Sequence, residues 1–246
     1  QSHGIQIAFK ENLTTAELMF RKQHVIQEQE NSLRRNLDKN RVAVLHGIPR
    51  FLSPNLLEIA PNESDEPYQI SMDYAVIATG SSPRRPDWAP FDHECVFDSD
   101  TILEIEQLPR KITIIGAGVI GCEYACIFAK MGIRVNLIAR DRDILPFLDR
   151  EISENLVFSM RNQRITLRLG ENVKAIRKVG PQEMHVELES QKVLPCSTVL
   201  VAAGRLANSR NLGLEDIGVE LGHNDLIVTN EHYQATLPNF YAAGDA

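Results

Sequence analysis

Three glycines, Gly116, Gly118 and Gly121, are spaced so that main chain can lie bare against a phosphate. Within KITIIGAGVIGCEYACIFA, residues 111–129, the apolar run Ile112–Ile115 feeds the glycines and a helix-like pattern follows them. Gly116 permits a tight turn out of a strand, Gly118 puts no side chain between backbone and anion, and Gly121 lets a helix pack close to a sheet. The helix start, at Val119 and Ile120, then turns its unpaired N–H groups and the positive end of its dipole toward the anion. Glycines at this spacing also arise by chance, as a merely structural strand–turn–helix. A second β-rich run, Ile133–Ala139, arrives at βαβ distance, and the combined context points to a bound dinucleotide.

In NAD-preferring sites a carboxylate at the end of the second strand holds the ribose hydroxyls. By register that place is Ala139, and no acid stands there. Arg140 and Arg142 follow, and a guanidinium can grip a 2′-phosphate through two hydrogen bonds. NADP is therefore permitted. Asp141 and Asp143 interleave, so a small shift of register restores a ribose acceptor, and the mixture fits use of both nucleotides. Solvated loop charges are the plainer alternative for the two arginines.

Three more strand ends carry small residues: Ala78-Thr79-Gly80-Ser81, Ala203-Gly204-Arg205 and Ala243-Gly244-Asp245. Ligands in open α/β sheets sit at such carboxyl ends.

The elements that must position these residues read as follows. Thr14–Asn40 has the spacing of a long helix with a narrow apolar stripe, Leu18, Met19, Val25, Ile26, Leu33 and Leu37, capped by Thr14 or Thr15 with Glu17 nearby. Arg41–Leu45, Pro49–Leu52, Asn55–Ile59 and Gln69–Ala78 read as strands, with a polar loop over Pro61–Pro67 and a proline-rich linker over Pro83–Pro90. A short helix is expected over Asp98–Leu108, capped by Ser99 or Asp100, and another over Asp149–Asn162. Leu167–Val179, Met184–Leu188, Thr198–Ala203, Leu226–Thr229 and Asn239–Ala243 complete the strands. Gln1–Gly4 reads as an appended remnant.

At 246 residues, 43% hydrophobic and 24% charged, the chain is an ordinary globular one with room for one or two domains. A formal charge of −7 without a basic run argues against nucleic acid and anionic membrane surfaces. No apolar stretch approaches a membrane span, and the N-terminus lacks a secretory pattern. The four cysteines, Cys95, Cys122, Cys126 and Cys196, form no CxxC pair and no metal-like cluster, so no metal site is expected. Cys122 and Cys126, one helical turn apart, read as small buried helix residues rather than a redox pair. Free thiols suit a reducing cytoplasm.

Taken together, VIATGSSPRRP, GAGVIGCEYA, LVAAGR and TLPNFYAAGDA resemble, in order and spacing, the two-dinucleotide-binding flavoproteins: lipoamide dehydrogenase, glutathione and mercuric reductases, and the soluble pyridine nucleotide transhydrogenases. FDSDTIL and DRDILPFLDREIS are most similar to the last group. The resemblance implies an α/β fold, with a Rossmann-like NAD(P)-binding domain at 109–230 inserted in a partial FAD-binding domain at 1–83, a crossing segment at 84–108, and a return to the FAD domain at 231–246. It implies FAD, NAD and NADP as cofactors, and hydride transfer between NADPH and NAD through the flavin. Thr79, Gly80 and Ser81 would then lie where the chain leaves the FAD domain, Ala203, Gly204 and Arg205 where the NAD domain closes, and Gly244 and Asp245 at the ribityl chain. Glu123 would lie beside the nicotinamide, as the catalytic residue; a carboxylate that only stabilises a helix start is its plainer reading. Val119 stands where glutathione reductases carry an aromatic gate, which places the chain apart from them.

The family's FAD glycine loop, redox cysteine pair and C-terminal dimerisation domain are not in this sequence. The chain alone is therefore expected to be a fragment, inactive and weak in FAD binding, with the homodimer formed through the missing domain. A lipoamide-dehydrogenase-type disulfide reductase and a non-catalytic NAD(P)-binding module are the competing expectations.

Overall fold

A strand without polar alternation, such as Ile112–Ile115, is stable only where both its faces are covered, and burial of all four residues meets that condition. A computed structural model of the chain describes residues 15–61 and 66–246. Helix α1 (Thr15–Lys39) opens it, followed by strands β1 (Ile48–Ser53), β2 (Leu56–Ala60), β3 (Tyr68–Ser71), β4 (Ala75–Ile77), β5 (Ser81–Pro83) and β6 (Val96–Asp98). Then come β7 (Lys111–Ile115), α2 (Val119–Lys130), β8 (Arg134–Ala139), α3 (Arg150–Asn162) and β9 (Thr166–Leu169). Strands β10 (Val173–Gly180), β11 (Glu183–Leu188), β12 (Val193–Cys196), β13 (Thr198–Val201), β14 (Arg205–Ala207) and β15 (Phe240–Ala242) end it.

The chain divides into two units, one of Gln1–Ser32 with Arg85–Ala203, the other of Leu33–Arg84 with Gly204–Ala246. In the first, five parallel strands run in the order β6-β13-β7-β8-β9. One sheet face carries Ile112, Ile114, Val135, Leu137 and Leu200, against Ala125 and Phe128 of α2 and Met160 of α3. The other carries Ile115, Ile138, Val199 and Val201, against Met184, Val186 and Leu188 of the antiparallel meander β10-β11-β12. Each such side chain contributes about 1.5–3 kcal/mol when fully buried.

The second unit holds the antiparallel meander β1-β2-β3, the parallel pair β15-β4 and the antiparallel pair β14-β5. Its core is built around Phe240, Leu214 and Val219, with Phe51 edge-on to Phe240 at 5.0 Å between centroids.

Several expected elements come out differently. Gln69–Ala78 is two strands, since β3 pairs antiparallel with β2 while β4 pairs parallel with β15. Leu167–Val179 likewise splits between the parallel sheet and the meander, as β9 and β10. Arg41–Leu45 and Leu226–Thr229 have strand-like composition but form no strand; the second makes only a bridge from Ile227 to Leu221. β12 was not expected; it pairs with β11. The long helix is present, yet Val25, Ile26 and Leu33 of its stripe are exposed. Thr14, the side chains of Thr15 and Glu17, and part of the 61–67 loop fall outside the description.

The short helix is one 3-10 turn, Thr101–Glu104, and its N-cap residue, Asp100, makes no side-chain cap hydrogen bond. Asp98 caps the turn instead. Its Oδ1 accepts the N–H groups of Asp100 and Thr101 at 2.9 and 2.8 Å. Its Oδ2 accepts from Arg85 Nε and Nη2 at 2.7 and 2.6 Å, and its side chain is 2% exposed. Burial alone would push this carboxyl up, but the hydrogen bonds from Thr101, Arg85 and Asp100 outweigh it and hold it below the usual carboxylate value. A depressed folded value stabilises the fold above the unfolded carboxylate pKa. That contribution is lost as pH falls through the lower folded value. Replacement Asp98→Ala strands the Arg85 cation, the N–H groups of Asp100 and Thr101 and the Thr101 hydroxyl, and is expected to cost about 3 kcal/mol in urea unfolding at neutral pH. The deficit against the parent should shrink in the same titration carried out well below pH 4.

Candidate functional site

The turn between β7 and α2 is built by its glycines, each for a separate reason. Gly116 has φ +108°, and a Cβ there would run into the backbone of Ala202 just past β13. Its N–H donates to Ile138 O at 2.8 Å, while Ala202 N–H donates to Ile115 O at 2.8 Å. Gly121 lies so close to the turn that a Cβ would collide with the Gly116 carbonyl and sit 3.6 Å from Ala202 Cβ. Gly118 caps α2 in an extended conformation, φ −74°, and a Cβ there would meet nothing within 4 Å. The corner is open at Gly118 and tight at Gly116 and Gly121. Val119 and Ile120 begin α2, where the first N–H groups have no intrahelical acceptor. Open backbone at Gly118 and a helix start beside it fit a pyrophosphate.

Glu123 lies on α2 one turn from its start and is exposed. Arg140, just past β8, is exposed and makes no ion pair to a described residue. Ala139 itself is buried, and its carbonyl accepts Glu171 N–H at 3.0 Å. The Glu171 carboxylate beside this strand end is held by Lys192 Nζ at 2.5 Å. Arg142 turns along Gly170 into a cavity beside α3. Ala203 continues from Ala202 behind the glycine turn.

The other motif residues meet inside the second unit. Ser81 Oγ donates to Asp245 Oδ2 at 3.2 Å and accepts from Arg205 Nε at 2.7 Å. Arg205 Nη2 also donates to Ser81 O at 2.5 Å. Gly80, Gly204 and Gly244 have φ of +68°, +102° and +76°, which accounts for glycine at all three turns. Sequence reading missed Asn208. Its Nδ2 donates to Thr79 O at 3.0 Å, its N–H to Gly80 O at 2.8 Å, and its Oδ1 accepts from Ser82 Oγ at 2.7 Å. Ala202 was missed as well. An amide in a polar loop and one alanine among several carry no distinguishing signal.

The cysteines are free, with Cys95, Cys122 and Cys196 buried and Cys126 half-buried. Burial, with Cys126 and Glu123 adding to it, pushes the Cys122 thiol up to about 11. Burial also raises Cys95, Cys126 and Cys196. Near neutral pH these are thiols, poor as nucleophiles.

Gly118→Val is expected to leave thermal unfolding within about 2 °C of the parent while weakening NADH and NADPH binding at least about tenfold in calorimetry. Gly121→Ala should instead lower the unfolding temperature by several degrees, since helix and strand must part.

The family described as pyridine nucleotide-disulphide oxidoreductase matches residues 3–246. A soluble pyridine nucleotide transhydrogenase from Mycobacterium tuberculosis is 36% identical over 243 residues, covering 99% of this chain and 52% of that protein. One from Pseudomonas putida is 38% identical over 222 residues, covering 90% and 47%. The HOCl-induced flavoprotein disulfide reductase RclA from Escherichia coli superposes with a TM-score of 0.83 at 26% identity, covering 92% of this chain and 51% of that one. LpdA from Mycobacterium tuberculosis shares the fold, with a TM-score of 0.88 at 21% identity over 95% of this chain and 52% of its own. The chain thus spans about half the length of the relatives it matches. Among the described residues no helix is long and apolar enough to cross a membrane. A glycine turn with open space at Gly118, within a match that runs nearly end to end, gives one conclusion: the chain belongs to the pyridine nucleotide-disulphide oxidoreductase family, whose coenzymes are FAD and a nicotinamide nucleotide.

Proposed function

We propose that the protein containing this chain is a flavoprotein transhydrogenase that moves hydride between NADPH and NAD. The observation that carries the reading is the open backbone at Gly118 beside a second strand that ends at Ala139, where the ribose-binding acid of an NAD site would stand, with Arg140 directly after it. Relatives named soluble pyridine nucleotide transhydrogenase support it. When bound, the coenzymes supply the two-electron chemistry, hydride passing from NADPH to flavin and from flavin to NAD⁺.

The chain's own residues do the holding. The start of α2 donates N–H groups to the pyrophosphate across Gly118, Val119 and Ile120. Arg140 takes the 2′-phosphate through its guanidinium, and with the phosphate absent leaves the ribose to water and backbone. Glu123 faces the nicotinamide end. In the second unit, Ser81 and Arg205 hold Asp245 for the flavin's ribityl chain, with Thr79, Gly80, Gly204 and Gly244 shaping the turns around it. A homodimer formed through a further domain, and a cytoplasmic site of action, go with this reading. The isolated chain is inactive.

A disulfide reductase of the lipoamide dehydrogenase type is the second reading, favoured by the likeness to RclA. The four thiols here offer it no redox pair, since burial keeps them protonated.

The whole protein, given NADPH and thio-NAD⁺ with no other acceptor, is expected to reduce the thio-nucleotide with steady turnover. No turnover alongside fast reduction of a disulfide substrate would give the second reading instead. For the nucleotide itself, Arg140→Ala should weaken NADPH at least about tenfold and NADH by less than about twofold. Equal losses for both would remove Arg140 from the phosphate.

A further inference from the structure

Helix α3 presents one face, from Arg150 through Glu154, Val157 and Phe158 to Arg161, to a cavity of about 410 Å³. The loop after β8 and Leu169 at the end of β9 close its other sides. Ile144, Leu148, Val157, Phe158 and Leu169 give it apolar walls, and Phe158 is 66% exposed. A volume of this order suits a small organic molecule.

The charges are unequally committed. Arg150 is taken by Glu154, Nε to Oε1 at 2.7 Å. Arg142 and Arg161 line the same space, and their side chains make no hydrogen bond or ion pair to a described residue. Asp143 is the other carboxylate on the wall, and its field reaches Arg150. Three guanidinium groups thus face two carboxylates, leaving one positive charge over, on a chain whose formal charge is −7.

Arg142 is also set in place. A Cβ at Gly170 would lie 3.5 Å from Arg142 Cγ, so the stem runs along that glycine. The loop behind it is tied down by Gly170 N–H to Asp141 O and Glu171 N–H to Ala139 O, both 3.0 Å. Arg140, two residues earlier, does not line the cavity. The two arginines that the sequence offers to one phosphate are therefore divided between two places.

We propose that this cavity is a binding site separate from the coenzyme crevice, for an organic monoanion: a carboxylate, or an acid of the same charge, carried on an aromatic or branched apolar body. The single excess charge selects a monoanion over a phosphate dianion, and the apolar walls select the body.

Fluorescence titration of the 246-residue chain with 8-anilinonaphthalene-1-sulfonate tests this directly. One saturable site is expected. Arg142→Ala and Arg161→Ala should each weaken it at least about fivefold, and together at least about tenfold. Arg142→Lys should recover part of the loss, which a disturbed fold would not. N-phenyl-1-naphthylamine, the neutral analogue, should bind at least about tenfold more weakly and ignore both arginine substitutions. Saturating NADPH, and the Gly118→Val substitution, should both leave the dye in place. Equal binding of the neutral dye, or indifference to both arginines, would reduce the cavity to a greasy surface. Displacement of the dye by NADPH would make it the far end of the coenzyme site.

Discussion

The close seat of α2 on the end of β7 is the constraint from which the rest of the first unit follows. A helix can aim its free N–H groups at a ligand lying over a sheet edge only if its first turn almost touches the strand that feeds it. Here the carbonyl of Gly116 and the backbone of Ala202 occupy the space that side chains would need. Glycine weakens a helix or strand by about 0.5–1 kcal/mol relative to alanine. Burial of Ala125 and Phe128 from α2 against Ile114, Leu137 and Leu200 more than offsets that. Packing holds the turn closed, while the open side at Gly118 has no structural use that the fold itself requires.

Charge is handled in two opposite ways. In the segment leading into β6, carboxylates are saturated with donors. Asp92 Oδ1 accepts the N–H groups of Glu94, Cys95 and Val96 at 3.0, 2.8 and 2.9 Å, as Asp98 does for the turn after the strand. For Asp92 too, burial would push the carboxyl up, but these bonds and Lys178 hold it down. Such groups brace loops and have nothing left to offer a ligand. Past β8 the pattern reverses: Arg140 and Arg142 make no ion pair with a described acidic residue, at positions where an anion can supply one.

The second unit ties its strand ends together through polar side chains as well as through packing. β4 and β15 are three residues long and pair with each other in the parallel direction, with Tyr241 also bridging antiparallel to Gln234, a small structure by any standard of sheet stability. Ser81, Arg205, Asn208 and Asp245 tie the loops together through directional hydrogen bonds. Such a network fixes side-chain direction as well as position, which a ribityl hydroxyl would require of Asp245.

The glycine turn, the strand–helix–strand around it, α3 and the three small-residue strand ends could all be read from the chain. Each is a local matter of φ, side-chain size or apolar period over a few residues, and such properties are carried by the residues themselves. Pairing was not so carried. Leu167–Val179 is one apolar-leaning run, yet Leu169 lies on a parallel sheet and Ile176 on an antiparallel one. Arg41–Leu45 looks like a strand and pairs with no strand among the described residues, and a strand exists only through the neighbour that takes its hydrogen bonds. The cap at Asp98, the hold of Asn208 on the Thr79 loop and the parting of Arg142 from Arg140 all depend on groups that the fold brings together from elsewhere in the chain. Sequence determined where backbone could lie bare against an anion; tertiary structure alone decided which charges were left free to face one.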